Sequence, residues 1–291
     1  MSRPDGARRA GPESTASPVL RLGPRSIPLE RVALMGVLNI TPDSFSDGGR
    51  YVRPAAALAH AAEMVEQGAA IIDVGGESTR PGAQPVSADE EIDRVLPVIE
   101  ALAKEVDVAI SIDTTKPEVM RAAVAAGAVL INDVLALRAP GALEAAAALD
   151  VGICLMHMQG EPRTMQANPR YDDVVREVGA FLRGRVEAAL AAGIARERLL
   201  IDPGFGFGKT LEHNLALLRG LGSFSDLGVP ILAGLSRKSM IAKVLGLPVE
   251  ERLPASLALA LVAVQNGARI LRVHDVAATR DAVRMWEAVY Y

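Results

Sequence analysis

From Arg31 onward the chain alternates short apolar runs with longer stretches in which apolar residues recur every three or four positions. The runs are Val32–Leu38, Ile71–Val74, Val108–Ile112, Val129–Ile131, Gly152–Met156, Leu199–Ile201, Ile231–Ala233 and Arg269–Val273. Apolar at nearly every position, they predict strands covered on both faces, as in a parallel sheet wrapped by helices. The stretches between them, such as Pro54–Gln67, Ser87–Lys104 and Val174–Ala192, are rich in Ala, Leu, Glu and Arg and predict helices. Pro54 and Pro117 stand where a helix tolerates proline in its first turn. Ser87 followed by Glu90 predicts a capping box. Gly68, Gly127, Gly193 and Gly267 predict helix ends. Eight strand–helix repeats predict closure into a (β/α)8 barrel. The competing open, doubly wound sheet would carry GxGxxG after its first strand, and none follows here.

Composition narrows this picture. The chain has 291 residues, half of them apolar but only 3% aromatic, so the core is expected to be aliphatic. A formal net charge of −4 without a long basic run argues against nucleic acid as the main partner. The single cysteine, Cys154, allows no internal disulfide and fits a reducing cytoplasm. No apolar run approaches the roughly 18–20 residues that span a bilayer. Residues 1–17 carry arginines and prolines but no apolar secretory core, and are expected to be a disordered extension preceding a barrel domain over 18–291.

Polar residues gather where the runs stop: Asn39 after the first, Asp73 with Gly75 and Gly76 at the second, Asp113 after the third, Asn132 and Asp133 after the fourth, His157 after the fifth and Asp202 after the sixth. Ser236, Arg237, Lys238 and Ser239 follow the seventh, and Arg272 and His274 close the eighth. Any one such Asp reads equally as a cap of the next helix. Together they predict one pocket at the C-terminal mouth of the barrel, where this fold places its active sites. Two polar segments, 39–49 and 75–83, are longer than ordinary strand–helix loops and suggest lids over a substrate. Arg272 and His274 lie on one face of their strand, near Lys238 and Ser239, and suit an anion such as phosphate. Buried carboxylates need donors, and an amide reads mixed edges, so Asp113, Asp202 and Asn132 suit a flat heterocycle with an N–H edge.

The segments MGVLNITPDSFSDGG (residues 35–49), IDVGGESTRPGA (72–83), SIDTTKPEV (111–119), IND (131–133), LMHMQG (155–160), DPGFGFGK (202–209), SRKSM (236–240) and RVHDV (272–276) closely resemble the bacterial dihydropteroate synthases. The likeness runs in order from about Val32 to the last helix. It implies an enzyme of folate biosynthesis that joins a hydroxymethyl-dihydropterin diphosphate to p-aminobenzoate and releases pyrophosphate, with Mg2+ and as a homodimer. It implies a pterin site of Asp113, Asn132, Met156, Asp202 and Lys238, although Met156 reads equally as plain core. The diphosphate would lie at Asn39, Thr79, Arg272 and His274, with Asn39 also on Mg2+. The p-aminobenzoate pocket would be walled by Thr79, Pro81, Phe207, Ser239 and the stem of Lys238, and completed by Asp43, Phe45 and Arg80 from the lids. Sulfonamides, as p-aminobenzoate mimics, would inhibit. The implied chemistry is departure of diphosphate, a pterin carbocation stabilised by Asp113 or Asp202, and attack by the arylamine, with Lys238, Arg272 and His274 assisting. Cys154 reads as core. The chain departs from the pattern at Leu135-Ala136 and at Pro254-Ala255-Ser256, the latter in a region that relatives use for dimer contacts. A pterin-binding module of a methyltransferase would need no anion site. A catalytically silent pterin-binding paralogue is the remaining alternative.

Overall fold

A computed structural model describes residues 19–40, 52–78, 84–161 and 164–290. A two-stranded antiparallel hairpin comes first, β1 (Val19–Leu22) and β2 (Arg25–Pro28), turned at Gly23 in the left-handed region. Eight parallel strands follow: β3 (Ala33–Asn39), β4 (Ile71–Gly75), β5 (Ala109–Asp113), β6 (Leu130–Asp133), β7 (Gly152–Met156), β8 (Leu199–Asp202), β9 (Leu232–Ala233) and β10 (Ile270–Val273). Between and after them lie α1 (Val52–Glu66), α2 (Ala88–Glu105), α3 (Pro117–Ala125), α4 (Ala142–Ala147), α5 (Val174–Ala191), α6 (Leu211–Arg219), α7 (Ser239–Leu245), α8 (Leu253–Gln265) and α9 (Val276–Tyr290).

The strand order is β8-β7-β6-β5-β4-β3-β10-β9, and a parallel bridge between Ile201 and Ile231 joins its two ends. The Ile201 amide donates to the Pro230 carbonyl across that seam at 2.9 Å. The molecule is therefore a (β/α)8 barrel, and all eight apolar runs are strands of it. Its helices begin and end much as the sequence predicts. Pro117 opens α3, and Gly68, Gly127, Gly193 and Gly267 all adopt positive φ after their helices. At α2 only half of the capping box forms. Ser87 Oγ accepts from the Glu90 amide at 3.2 Å, while the Glu90 carboxylate turns to Arg94, one helical turn on.

Strand parity divides the core. Odd-numbered positions of β4, β5 and β8 behave differently from even ones because side chains alternate faces. Ile72, Val74, Ile110, Ile112, Ile131 and Ile201 face outward and pack beneath the helices. Met35, Ile71, Ala109, Leu130, Cys154, Leu200, Leu232 and Ile270 face the barrel axis and fill its lower half. The N-terminal hairpin, which the sequence reading did not single out, plugs the bottom of this interior with Leu20, Leu22 and Ile27. Gly152 allows it: a side chain there would collide with Leu22. With the lower half packed, the upper half of the interior is left for polar side chains.

Candidate active site

One strand step above the apolar layer, parity turns Asp73 (β4), Asp113 (β5), Asn132 (β6), Met156 (β7), Asp202 (β8) and Arg272 (β10) toward the axis. Four of them, Asp73, Asp113, Asn132 and Arg272, form one hydrogen-bonded set. Arg272 Nε donates to Asp73 Oδ2 at 2.6 Å and its Nη2 to Asp113 Oδ2 at 2.9 Å. Asn132 Nδ2 donates to the same Asp73 oxygen at 3.1 Å. Two glycines keep space between these groups. A Cβ at Gly75 would lie 3.5 Å from Asn39 Oδ1 and 3.9 Å from Asp113 Oδ2. One at Gly234 would lie 3.8 Å from Arg272 Cβ and 3.9 Å from Asp202 Oδ2.

Burial perturbs nearly every charge here. Desolvation, with repulsion from Asp73, pushes Asp113 up to about 7 against the pull of Arg272. Desolvation also raises Asp202, although the Gly204 amide and the lysines oppose it. Lys238 falls to about 8 through burial, which outweighs the attraction of Asp202. Burial disfavours the charge of Arg272 as well, but Asp73 and Asp113 more than compensate and raise its pKa. His274 is lowered to about 4 by burial and then by Arg272, so it is neutral at pH 7 and can act as a hydrogen-bond donor. Its Nδ1 lies 3.0 Å from Ser236 Oγ.

Two loops carry the remaining groups. After β8, Asp202 Oδ1 accepts from the Gly204 amide at 2.7 Å, and Gly204, Gly206 and Gly208 all take positive φ. Side chains at the first or last of these would strike the backbone of His157 or Gln159. Lys209, fully buried, ties the loop together: its Nζ reaches Gly204 O at 2.9 Å, Phe207 O at 3.0 Å and His157 Nδ1 at 2.9 Å. This holds Phe207 beside Lys238, whose Nζ sits 4.3 Å from the ring centroid. After β9, Arg237 is forced into the left-handed region at φ 57°. The strain is offset on all sides: its amide donates to Ser256 Oγ at 3.0 Å, its carbonyl accepts from Arg252 at 3.0 Å, and its guanidinium grips Asp275. Ser256, the last residue of the second sequence departure, thus holds the loop that presents Lys238 and Ser239. At the first departure, Ala136 and Leu137 also have positive φ, and the Asp133 carboxylate secures the turn by accepting from the Leu135 and Leu137 amides.

Of the residues expected at the site, Asp113, Asn132, Asp202, Lys238 and Arg272 converge on the barrel interior, and His274, Phe207 and Asn39 stand around them. Ser239 opens α7 and is exposed. Met156 belongs to a small cluster at the mouth with Val134, Met158 and Met165, against which Phe207 packs, rather than to the main core. Asp43, Phe45, Thr79, Arg80 and Pro81 lie outside the described residues.

The family of pterin binding enzymes matches the chain over residues 35–274. The dihydropteroate synthase of Haemophilus influenzae is 55% identical over 255 residues, which is 88% of this chain and 93% of that protein. The chain belongs to the dihydropteroate synthase family. Among solved structures, the Xanthomonas albilineans synthase with 4-aminobenzoic acid is 54% identical with a TM-score of 0.89, covering 94% of this chain and 99% of that one. The same organism's synthase in complex with 7,8-dihydropteroate is 51% identical with a TM-score of 0.86 at the same coverage.

Two groups of this synthase's site received no role in the sequence. Asp73 was legible as one of the polar residues expected at the mouth but was given no partner or ligand, and Lys209 was legible only as the end of a glycine-rich motif. A third group gathers around Lys116, which follows β5. Lys116 is gripped by Glu77 and by Glu91, a buried carboxylate, and Glu77 also accepts from the Val86 amide at 3.2 Å.

Proposed function

We propose that the enzyme condenses 6-hydroxymethyl-7,8-dihydropterin diphosphate with p-aminobenzoate to give 7,8-dihydropteroate and pyrophosphate. The observation that carries this reading is the hydrogen-bonded set Asn132–Asp73–Arg272–Asp113 at the top of the barrel interior, in a chain of this family. The carboxylates of Asp113 and Asp202 and the amide of Asn132 would read the polar edge of the pterin, with Lys238 on its carbonyl side. Phe207, the stem of Lys238 and Ser239 would wall the arylamine, with Thr79, Pro81, Asp43, Phe45 and Arg80 completing the pocket. Arg272, His274, Asn39 and Thr79 would meet the diphosphate.

In this reading the bond between the exocyclic carbon and oxygen breaks and its electron pair leaves with the diphosphate. Arg272 and the neutral His274 stabilise the growing charge on that group. The anionic carboxylates below stabilise the carbocation left on the pterin. The arylamine nitrogen then supplies its lone pair to the new C–N bond and gives up a proton to the released pyrophosphate or to water. The donor set also suits Mg2+. Among the described residues no group of three or more His, Cys, Asp or Glu could enclose a cation. Asn39 instead offers one amide oxygen beside Gly75, which fits an ion carried mainly by phosphate oxygens and water. Asn39 would hold that ion, which when bound supplies charge neutralisation to the leaving group.

The same reading makes the protein a cytoplasmic homodimer. The exposed apolar side chains of Val244, Leu245, Val262, Met285 and Val289 on α7, α8 and α9 support the dimer. Among the described residues no helix is long and apolar enough to cross a membrane. Pyrophosphate release from the pterin diphosphate, followed with and without p-aminobenzoate and in Asp202→Ala, tests the reading. Arylamine-dependent release that the substitution abolishes supports it; pterin binding without release would mean a silent paralogue.

A further inference from the structure

We propose that Asp73 is a positioning residue of this site: it fixes the amide of Asn132 with its nitrogen inward and its carbonyl turned to the heterocycle, and it aligns the guanidinium of Arg272. The inference rests on the reading of the pocket as a pterin site.

Asp73 is fully buried at the centre of β4, between Ile72 and Val74, which face the helices. A carboxylate there is costly, and a well-packed apolar residue in its place would often leave the fold as stable or more so. Its Oδ2 accepts from both Arg272 and Asn132, whereas its Oδ1, buried, has no hydrogen-bond partner. An unsatisfied buried oxygen is a further cost that stability alone would not select. The geometry therefore points to function.

The logic of the contact is directional. The Asp73 oxygen that also receives Arg272 acts here as an acceptor, so Asn132 offers it the NH2 end. The amide oxygen of Asn132 then faces away from Asp73. Without that partner the amide could rotate by half a turn and offer a donor where the substrate needs an acceptor. Arg272 is held in the same way. Asp73 takes Nε and Asp113 takes Nη2, so two carboxylates on adjacent strands fix the guanidinium plane. Removing Asp73 frees the near edge of that plane and leaves only the Asp113 contact. Asp73 itself lies below these two side chains and acts through them.

The test is Asp73→Asn, which keeps size and shape, with Asp73→Ser as a smaller second variant should the first yield little folded protein. Pterin diphosphate binding is measured without arylamine, and steady-state kinetics are measured well below the thermal midpoint. We expect pterin affinity and kcat/KM for the diphosphate to fall by about 10- to 100-fold, the worth of one charge-assisted hydrogen bond. KM for the arylamine should stay within about threefold, and the thermal midpoint should change little or rise. A merely structural role would instead lower the midpoint and leave the folded fraction with normal pterin affinity. That result, or a kcat/KM within threefold of the parent, would overturn the proposal. Failure of the parent protein to bind the pterin diphosphate would overturn the reading of the pocket instead.

Discussion

Arg272→Ala probes the charge balance of the site most severely. Arg272 is the cation that Asp73 and Asp113 share, through contacts of 2.6 and 2.9 Å. Its removal leaves two buried carboxylates facing each other, and breaking a buried pair in this way costs about 3–5 kcal/mol. The cost depends on pH, and its sign follows from Asp113. Burial and Asp73 already raise that carboxyl from 3.8 to about 7 against the pull of Arg272, so deleting the arginine lifts it further. A carboxyl raised in the folded state binds its proton more tightly there than when unfolded. Stability is then highest at low pH and is lost as pH rises from about 4 through about 7 and, in the variant, beyond. The full defect of about 3–5 kcal/mol is expected at pH 8. At pH 5, where Asp113 carries a proton in the folded state, it should shrink to about 1–2 kcal/mol. Urea unfolding of both proteins at the two pH values measures this directly. Equal destabilisation at both, or less than about 1 kcal/mol at pH 8, would refute the shared-cation account.

Three further outcomes follow from other parts of the site. Lys209 behaves oppositely to Asp113: burial lowers it to about 7, so its folded form releases a proton that the unfolded chain keeps, and stability should rise between pH 7 and about 10. Lys209→Met should flatten that rise, apart from the share due to Lys238, and by loosening Phe207 should increase KM for the arylamine about tenfold. Gly75→Ala should fold normally, because the added carbon meets its neighbours at 3.5 Å or more, yet kcat/KM for the pterin diphosphate should fall at least about tenfold as the space beside Asn39 and Asp113 fills. Thermal midpoint and kinetics together check it. Cys154 is fully buried, and desolvation raises its thiol, so a thiol reagent should modify it only at the rate of unfolding.

The barrel was legible because its signal is repeated. Eight apolar runs with glycines after the helices leave few other architectures, and each of the four glycines singled out adopts the backbone that its position requires. The mouth residues were legible because Asp113, Asn132, Asp202 and Lys238 interrupt those runs at their ends. Asp73 was legible as a polar residue of the second run, but its role was not, because its partner Arg272 lies 199 positions away. Only the parity of β4 inside a closed barrel turns it to the axis and onto Arg272 and Asn132. Lys209 was hidden differently: the sequence shows only that it ends a glycine-rich motif, and only the fold shows that it turns back to bind its own loop. The hairpin escaped notice because four-residue strands alternate too briefly to stand out, although Gly23-Pro24 marks its turn.

The central claim is best tested by following dihydropteroate and pyrophosphate together, from purified enzyme with Mg2+, the pterin diphosphate and p-aminobenzoate. The account predicts the two products in equal amounts, with neither formed when the arylamine is omitted or when Arg272 is replaced. Pyrophosphate released without dihydropteroate, or no turnover by protein that binds both substrates, would contradict it.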